Sequence, residues 1–378
     1  MTESKAYELS ITIEDERLVT AQSQDGTKVA SSLNMDALQR EQIGIYKEWL
    51  ELGKITQQRE YSVFGTLLYR VLFNREVELL FQTMFEKARQ SGQRLRVQLG
   101  FGDRAVDLAD LPWEYLYYPK SERQEGFFFA TQVDLILSRY IVSGKGRPEL
   151  VNKPEQGKLL VLLAVAQPLG LPSLVADLVI ETVRNLSSER FPIEVRKLDK
   201  PTLPSLLESM TAYIPHVLHF MGHARFNPSE RRTDIALAGP DEKTVGWIRD
   251  REFAEFFYQM RSTPPLVILH LCESADPSEP ADPNASFANL APLLLARANI
   301  SAVVATRYPM PNREAVSFYR SLYRDLARGE PVDGAVQAAR FWITVDNPDA
   351  YDGRAFGAPI VFDTSHEGIV DSSMSSFK

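Results

Sequence analysis

Residues 216–224, HVLHFMGHA, and residues 265–274, PLVILHLCES, carry the fold and the chemistry of this chain in the same few positions. Each is a short apolar run, which reads as a strand buried on both faces of a parallel sheet. Each ends on a reactive side chain: His223 in the first run, and in the second Cys272, the one cysteine among 378 residues. In open α/β sheets, ligands and chemistry gather at the carboxyl ends of the strands. Two strand-end residues of these types therefore belong to one cleft if their strands are neighbours.

The surrounding sequence repeats the pattern. KLLVLLAVA (158–166), IEVRKL (193–198), DIALAG (234–239) and SAVVATRY (301–308) read as further strands. Between them LVADLVIETVRNLSS (174–188), LPSLLESMTAY (203–213), DREFAEFFYQMR (250–261) and SFANLAPLLLARA (286–298) have helical periodicity. Helices are expected at about 312–328 and 332–345, and a last short strand near 358–362. Alternating β and α segments predict an α/β fold, a mainly parallel sheet flanked by helices.

The first 150 residues read differently. A short hairpin is expected over 7–22, helices from Met35 to about Ala88, and strands at 94–100 and 133–142. LADLPWEYLYY (108–118) reads as a buried turn and strand, since Trp113 and its tyrosines need a core to cover them. Trp113 and Glu114 read as packing residues. Glycine, proline and charge over 143–158 mark a linker. The expected organisation is a non-catalytic lobe over 1–150, a catalytic domain over 151–365 and a polar tail over 366–378.

Composition sets the bounds. Hydrophobic residues make up 44% and charged residues 24%, as in ordinary globular proteins. The net charge of −8 argues against a nucleic-acid backbone as the main ligand. No apolar run has the length of a membrane span, and the N-terminus has no secretion-signal pattern. One cysteine excludes an internal disulfide framework and fits a reducing cytoplasm.

A cysteine peptidase needs a thiolate, a nearby base and amide donors for the oxyanion. Cys272 can supply the nucleophile and His223 the base. Gly222 would let the backbone approach closely, and N–H groups of Cys272 and of the 222–224 turn, Gly222 and Ala224, could form the oxyanion hole. The residues alone leave a buried structural cysteine open, because free cysteine is often a small hydrophobe. A metalloprotease helix is excluded, since His216, His219 and His223 lie in a strand with no His-Glu-x-x-His. No glycine-rich phosphate loop with a lysine is present.

HVLHFMGHARFN (216–227) followed by LVILHLCESA (266–275) resembles the paired motifs of the CHAT family of caspase-like peptidases, related to separase and the caspases. FANLAPLLLARANISAVVATRYPM (287–310), FYRSLYRDLARGEPVDGAVQAAR (318–340), LADLPWEYLYY and LILSRY (135–140) extend the resemblance from about residue 60 onward. It implies a caspase-like sheet with a pseudo-protease-like N-terminal lobe. It also implies a His223/Cys272 dyad and cleavage of a partner protein with no metal or organic cofactor. A regulated prokaryotic pathway such as antiviral defence or cell death is implied, with an activating protein partner that orders cleft loops such as 276–284. Two positions depart from the family pattern: Ala224 stands where glycine is usual, and His270 where asparagine is usual.

Substrate contacts stay open. Asp234 and Glu273, with Asp276, would select a basic side chain. Arg225 and Arg307 would select an acidic one, and Phe226, Tyr308 and Met310 an apolar one. Two other functions also remain open. One is a catalytically inactive interaction module on the same fold, and the other is a different thiol hydrolase or acyltransferase.

Overall fold

A computed structural model of the chain describes residues 6–120, 125–142, 157–167, 176–188, 191–227, 230, 232–239, 244–273, 290–298, 300–365 and 368–369; the side chains of Val106, Phe226, Cys272 and Glu273 lie outside this description. The chain divides into two compact units, residues 1–144 with 340–360 and residues 145–339 with 361–378. The return of 340–360 to the first unit has no counterpart in the sequence-based division at about 150. The linker expected at 143–158 and the loop 276–284 fall largely or wholly outside the described residues.

In the first unit, β1 (Tyr7–Ile13), β2 (Leu18–Ser23) and β3 (Lys28–Ser32) form an antiparallel meander, one strand more than the expected hairpin. Three helices follow: α1 (Ala37–Glu51), α2 (Gln58–Leu72) and α3 (Arg75–Gln90). Their starts are local. Asp36 and Gln39 form a capping box on α1, and the Asn74 side chain accepts from Val77 N–H on α3. β4 (Leu95–Phe101) then pairs parallel with β1.

After α4 (Val106–Ala109), a 3₁₀ turn at Trp113–Tyr115 leads into the two-residue strands β5 (Tyr117–Tyr118) and β6 (Phe127–Phe128). β7 (Leu135–Ile141) pairs parallel with β4, giving the order β7-β4-β1-β2-β3. Trp113 is fully buried and donates Nε1–H to the Leu108 carbonyl at 2.7 Å. Glu114 is buried against Arg139, with contacts of 2.9 and 2.6 Å, and Arg139 also bonds the carbonyls of Ala109 and Leu111. Every charge in that pair is answered, the condition for keeping an ion pair in a core.

The second unit holds the alternating segments: β8 (Leu159–Val165), α5 (Ala176–Ser188), β9 (Ile193–Asp199), α6 (Leu203–Tyr213), β10 (Val217–Asn227), β11 (Arg232–Ala238), β12 (Val245–Arg249), α7 (Asp250–Tyr258), β13 (Leu266–Glu273), α8 (Leu290–Arg297), β14 (Ala302–Thr306) and α9 (Asn312–Ala327). α10 (Val332–Asp346) begins in this unit and ends in the first, and β15 (Pro359–Asp363) runs back across the division. β10 is central, with β13 and then β14 parallel on one side. On the other side its first half pairs parallel with β8, which pairs with β9, and its second half pairs antiparallel with β11, which pairs with β12.

Strand alternation sorts the β10 side chains onto two faces. Phe220, at an even position, meets Phe253 of α7 edge-on at 5.5 Å. His219, at an odd position, meets Tyr319 and Tyr323 of α9. α5 packs on α9 and α7 on α8, so helices cover both faces of a mostly parallel sheet. Among the described residues no helix is long and apolar enough to cross a membrane.

Candidate active site

β10 and β13 are adjacent, parallel and in unbroken register from Val217↔Leu266 to Ala224↔Glu273. Within that register His223 stands directly opposite Cys272. Neighbouring strands lie about 4.8 Å apart, so the two backbones hold these residues side by side near the carboxyl end of the parallel ladder. His223 is 1% exposed.

Gly222 has no room for a side chain. A Cβ there would lie 2.9 Å from a Phe220 ring carbon and 3.2 Å from the Ala166 Cβ. This is the close approach expected of that glycine. The expected turn at 222–224 is not formed, however. β10 runs straight on to Asn227, and Ala224 faces Glu273 on one side and Ile235 on the other. The antiparallel strand β11 begins where β8 ends, and this continued pairing keeps the chain extended.

Below the His223/Cys272 level the same face carries a buried polar group. His219 is fully buried and its Nδ1 lies 2.8 Å from the Tyr323 hydroxyl. His270, partly buried, stacks on Tyr319 at 5.4 Å and lies 6.0 Å from His219, centroid to centroid. Burial holds the His219 pKa well below the usual histidine value, with repulsion from His270 adding to it. Burial alone lowers His270 to about 4. Both rings are neutral near pH 7. His270 therefore sits as a strand residue packed on α9. His216, at the other end of β10, accepts the Leu160 N–H on Nδ1 at 2.7 Å, and burial lowers it to about 4.

Of the expected substrate-contacting residues, Arg225 and Asp234 are register partners across β10 and β11. Asp234 is 4% exposed, and its carboxylate accepts from Arg225 Nε at 3.2 Å and from Arg232 Nε at 2.8 Å. A carboxylate so engaged is not an open selector for a basic substrate side chain. Phe226 is the register partner of Thr233, one residue out of phase with Arg225; Glu273 faces Ala224, one residue out of phase with Cys272. Arg307 and Tyr308 follow the end of β14, the strand beyond β13, with the Arg307 guanidinium 5.8 Å from the Tyr308 ring; Tyr308 is buried.

Sequence reasoning missed β12, VGWIR, and with it Trp247 and Arg249. Five residues with no alternation of polarity gave no strand signal. An Arg-Trp pairing across the β10–β11–β12 ribbon was the clue available, and only the register makes it visible.

Among the described residues no group of three or more histidine, cysteine, aspartate or glutamate side chains could hold a metal ion.

The fold is similar to a chain in the crystal structure of the Saccharomyces cerevisiae separase–securin complex, at 9% sequence identity and a TM-score of 0.52. The match covers 95% of this chain and 30% of that one, so this chain spans about a third of its structural neighbour's length. At that identity the likeness is one of architecture, an α/β fold with a mostly parallel sheet flanked by helices, as in the caspase-like fold of separase. No curated protein matches the chain by sequence. The model of the CHAT domain matches residues 64–365, and the chain belongs to that family of caspase-like proteins.

Proposed function

We propose that the protein is a cysteine endopeptidase working through a His223/Cys272 dyad on a protein substrate. The observation that carries this reading is the register: the base and nucleophile candidates are direct partners on adjacent parallel strands, near the carboxyl end of the ladder that joins them. His223 takes the proton from the Cys272 thiol. The thiolate attacks the scissile carbonyl carbon, and the carbonyl electron pair moves onto oxygen. Backbone N–H groups of Cys272 and of Gly222 or Ala224 are the proposed donors to that oxyanion. Each such donor contributes a factor of roughly 10²–10³ in rate. His223 then protonates the departing amine, and water releases the acyl group from sulfur by the reverse sequence. Every step uses groups of the protein and water, and none calls for a metal or organic cofactor.

A reducing cytoplasmic setting suits a thiol nucleophile. Control by a protein partner fits the family and the state of the structural neighbour, a complex with securin. A place in a prokaryotic defence or cell-death pathway belongs to the same reading.

The test is proteome-scale cleavage profiling of wild type against Cys272→Ala, with a thiol-reactive activity probe. The expected result is Cys272-dependent cleavage and probe labelling that weakens sharply in His223→Ala. Equal cleavage by wild type and Cys272→Ala, or labelling indifferent to His223, would leave an inactive interaction module as the better reading.

A further inference from the structure

We propose that the peptidase selects substrates bearing an acidic side chain close to the scissile bond, and that Arg225, backed by Trp247 and flanked by Arg249, reads it. This rests on the peptidase reading above and adds its substrate class.

The argument begins with phase. Side chains alternate along β10, so Arg225 and Asn227 share the face of His223 and His219. At His219 that face is covered by Tyr319 and Tyr323 of α9. Two residues beyond His223, at Arg225, it is open: the Arg225 side chain is 51% exposed. The antiparallel register carries the same face across the ribbon. Arg225 faces Asp234, Asp234 faces Arg249, Asn227 faces Arg232 and Ala236 faces Trp247. The face that leads away from the dyad therefore presents three arginines, one tryptophan and one aspartate.

The charges on this face are unevenly used. Arg232 is consumed, with Nε and Nη2 on Asp234 and Nη1 on Glu230. Arg225 gives only Nε to Asp234, at 3.2 Å. Among the described residues its two terminal nitrogens donate to nothing. The guanidinium carbon lies over the Trp247 ring, 4.3 Å from its centroid, a cation–π contact that with the Asp234 bond holds the group in place. Arg249 is exposed, and its guanidinium has no ion-pair partner among the described residues; only its backbone N–H is used, by Glu252 at 3.3 Å. Among the described residues the carboxylates near this face are Asp234 and Glu230, both engaged by arginine, Glu252 beside the Arg249 backbone, and Asp250, which accepts the Thr233 N–H and whose charge reaches Arg232.

A guanidinium held over an aromatic ring, with Nε anchored and its terminal nitrogens unengaged among the described residues, can receive a carboxylate on two parallel N–H donors. Two residues of strand separate it from His223, about 7 Å. An extended substrate advances about 3.4 Å per residue, so the acidic side chain lies within about two positions of the cleaved bond. Asp234 orients Arg225 and is not itself a subsite for a basic residue.

The test has two arms, both on the full chain. In the first, wild type, Arg225→Gln and Arg249→Gln are profiled against a peptide library. Aspartate or glutamate is expected to be enriched within two positions of the cleaved bond, with about a tenfold loss of that preference in Arg225→Gln and a smaller loss in Arg249→Gln. In the second, fluorescence anisotropy measures binding of matched acidic, neutral and basic peptides to Cys272→Ala, with and without Arg225→Gln, so the answer does not depend on turnover. Cys272-dependent cleavage without acidic enrichment would overturn this proposal and leave the peptidase reading standing. Absence of cleavage together with Arg225-dependent binding of the acidic peptide would overturn the peptidase reading and keep the subsite. Equal binding of all three peptides would overturn the subsite. Circular dichroism of each variant checks folding, and Arg249→Gln, which breaks no ion pair among the described residues, stands in if Arg225→Gln unfolds.

Discussion

His219 and Tyr323 hydrogen-bond at 2.8 Å in a fully buried contact between β10 and α9, on the sheet face that carries His223 four residues further along β10. Removing only the hydroxyl leaves a buried ring nitrogen without that partner, which costs about 1–3 kcal/mol. Tyr323→Phe should therefore lower the urea midpoint. The double variant His219→Leu with Tyr323→Phe should recover part of the loss, because neither polar atom remains. Additive losses in the double variant would show that the hydrogen bond is not the coupled unit.

The register of His223 with Cys272 predicts a thiol whose reactivity depends on the imidazole. Alkylation of Cys272 by iodoacetamide, followed by mass spectrometry, should slow markedly in His223→Ala at pH 7 and less at pH 9, where a free thiol ionises unaided. Peptide turnover should fall by a factor of about 10²–10⁴ in the same variant, the usual contribution of a positioned base. An unchanged alkylation rate at pH 7 would count against the dyad.

Acid should destabilise the second unit through its neutral histidines. His216 and His270 are each lowered to about 4 by burial, against an unfolded value near 6.5. Between these values the unfolded chain binds more protons than the folded one, so stability rises with pH. The contribution is complete above about 6.5 and is lost as pH falls towards 4, with about 2 kcal/mol lost for each histidine by pH 5. Urea unfolding at pH 7 and pH 5 checks the sign. In His270→Asn the difference between the two pH values should shrink; if it does not, the buried histidines do not drive it.

Gly222→Ala should be costly for a reason apart from catalysis. The new methyl would stand 2.9 Å from the Phe220 ring and 3.2 Å from Ala166, so the ring must move within a packed core. Overpacking of this kind costs about 1–3 kcal/mol. Gly65→Ala should be worse, since its Cβ would lie 2.1 Å from the Tyr115 backbone oxygen, which cannot rotate away. Thermal unfolding of the two variants should rank them in that order. The reverse ranking would mean that the Trp113–Tyr115 turn yields more easily than the Phe220 ring.

Much of the fold was legible in the chain. The apolar runs at β8, β10, β13 and β14 are buried on both faces, and a strand buried on both faces must be apolar throughout, so hydropathy alone marks it. The helices between them show the period of one covered face. Less was legible at the edges. β3 and β12 are short and partly exposed, and their side chains follow neighbours more than hydropathy. The extension of β10 to Asn227 was read as a turn because Gly222 invites one; the pairing with β11 overrode that local preference.

The sequence by itself determined the class of fold, the candidate residues His223 and Cys272 at the ends of their apolar runs, and the family motifs around them, because those features are local in the chain. The tertiary structure decided which residues stand together. Register is set by pairing between segments about fifty residues apart, and a slip of one position would place Cys272 beside Gly222 or Ala224 instead of His223. It also decided that Asp234 is occupied and that, among the described residues, Arg225 keeps donors to spare. Charge is written in the sequence, but whether a charge is already answered depends on which neighbours the fold brings within reach.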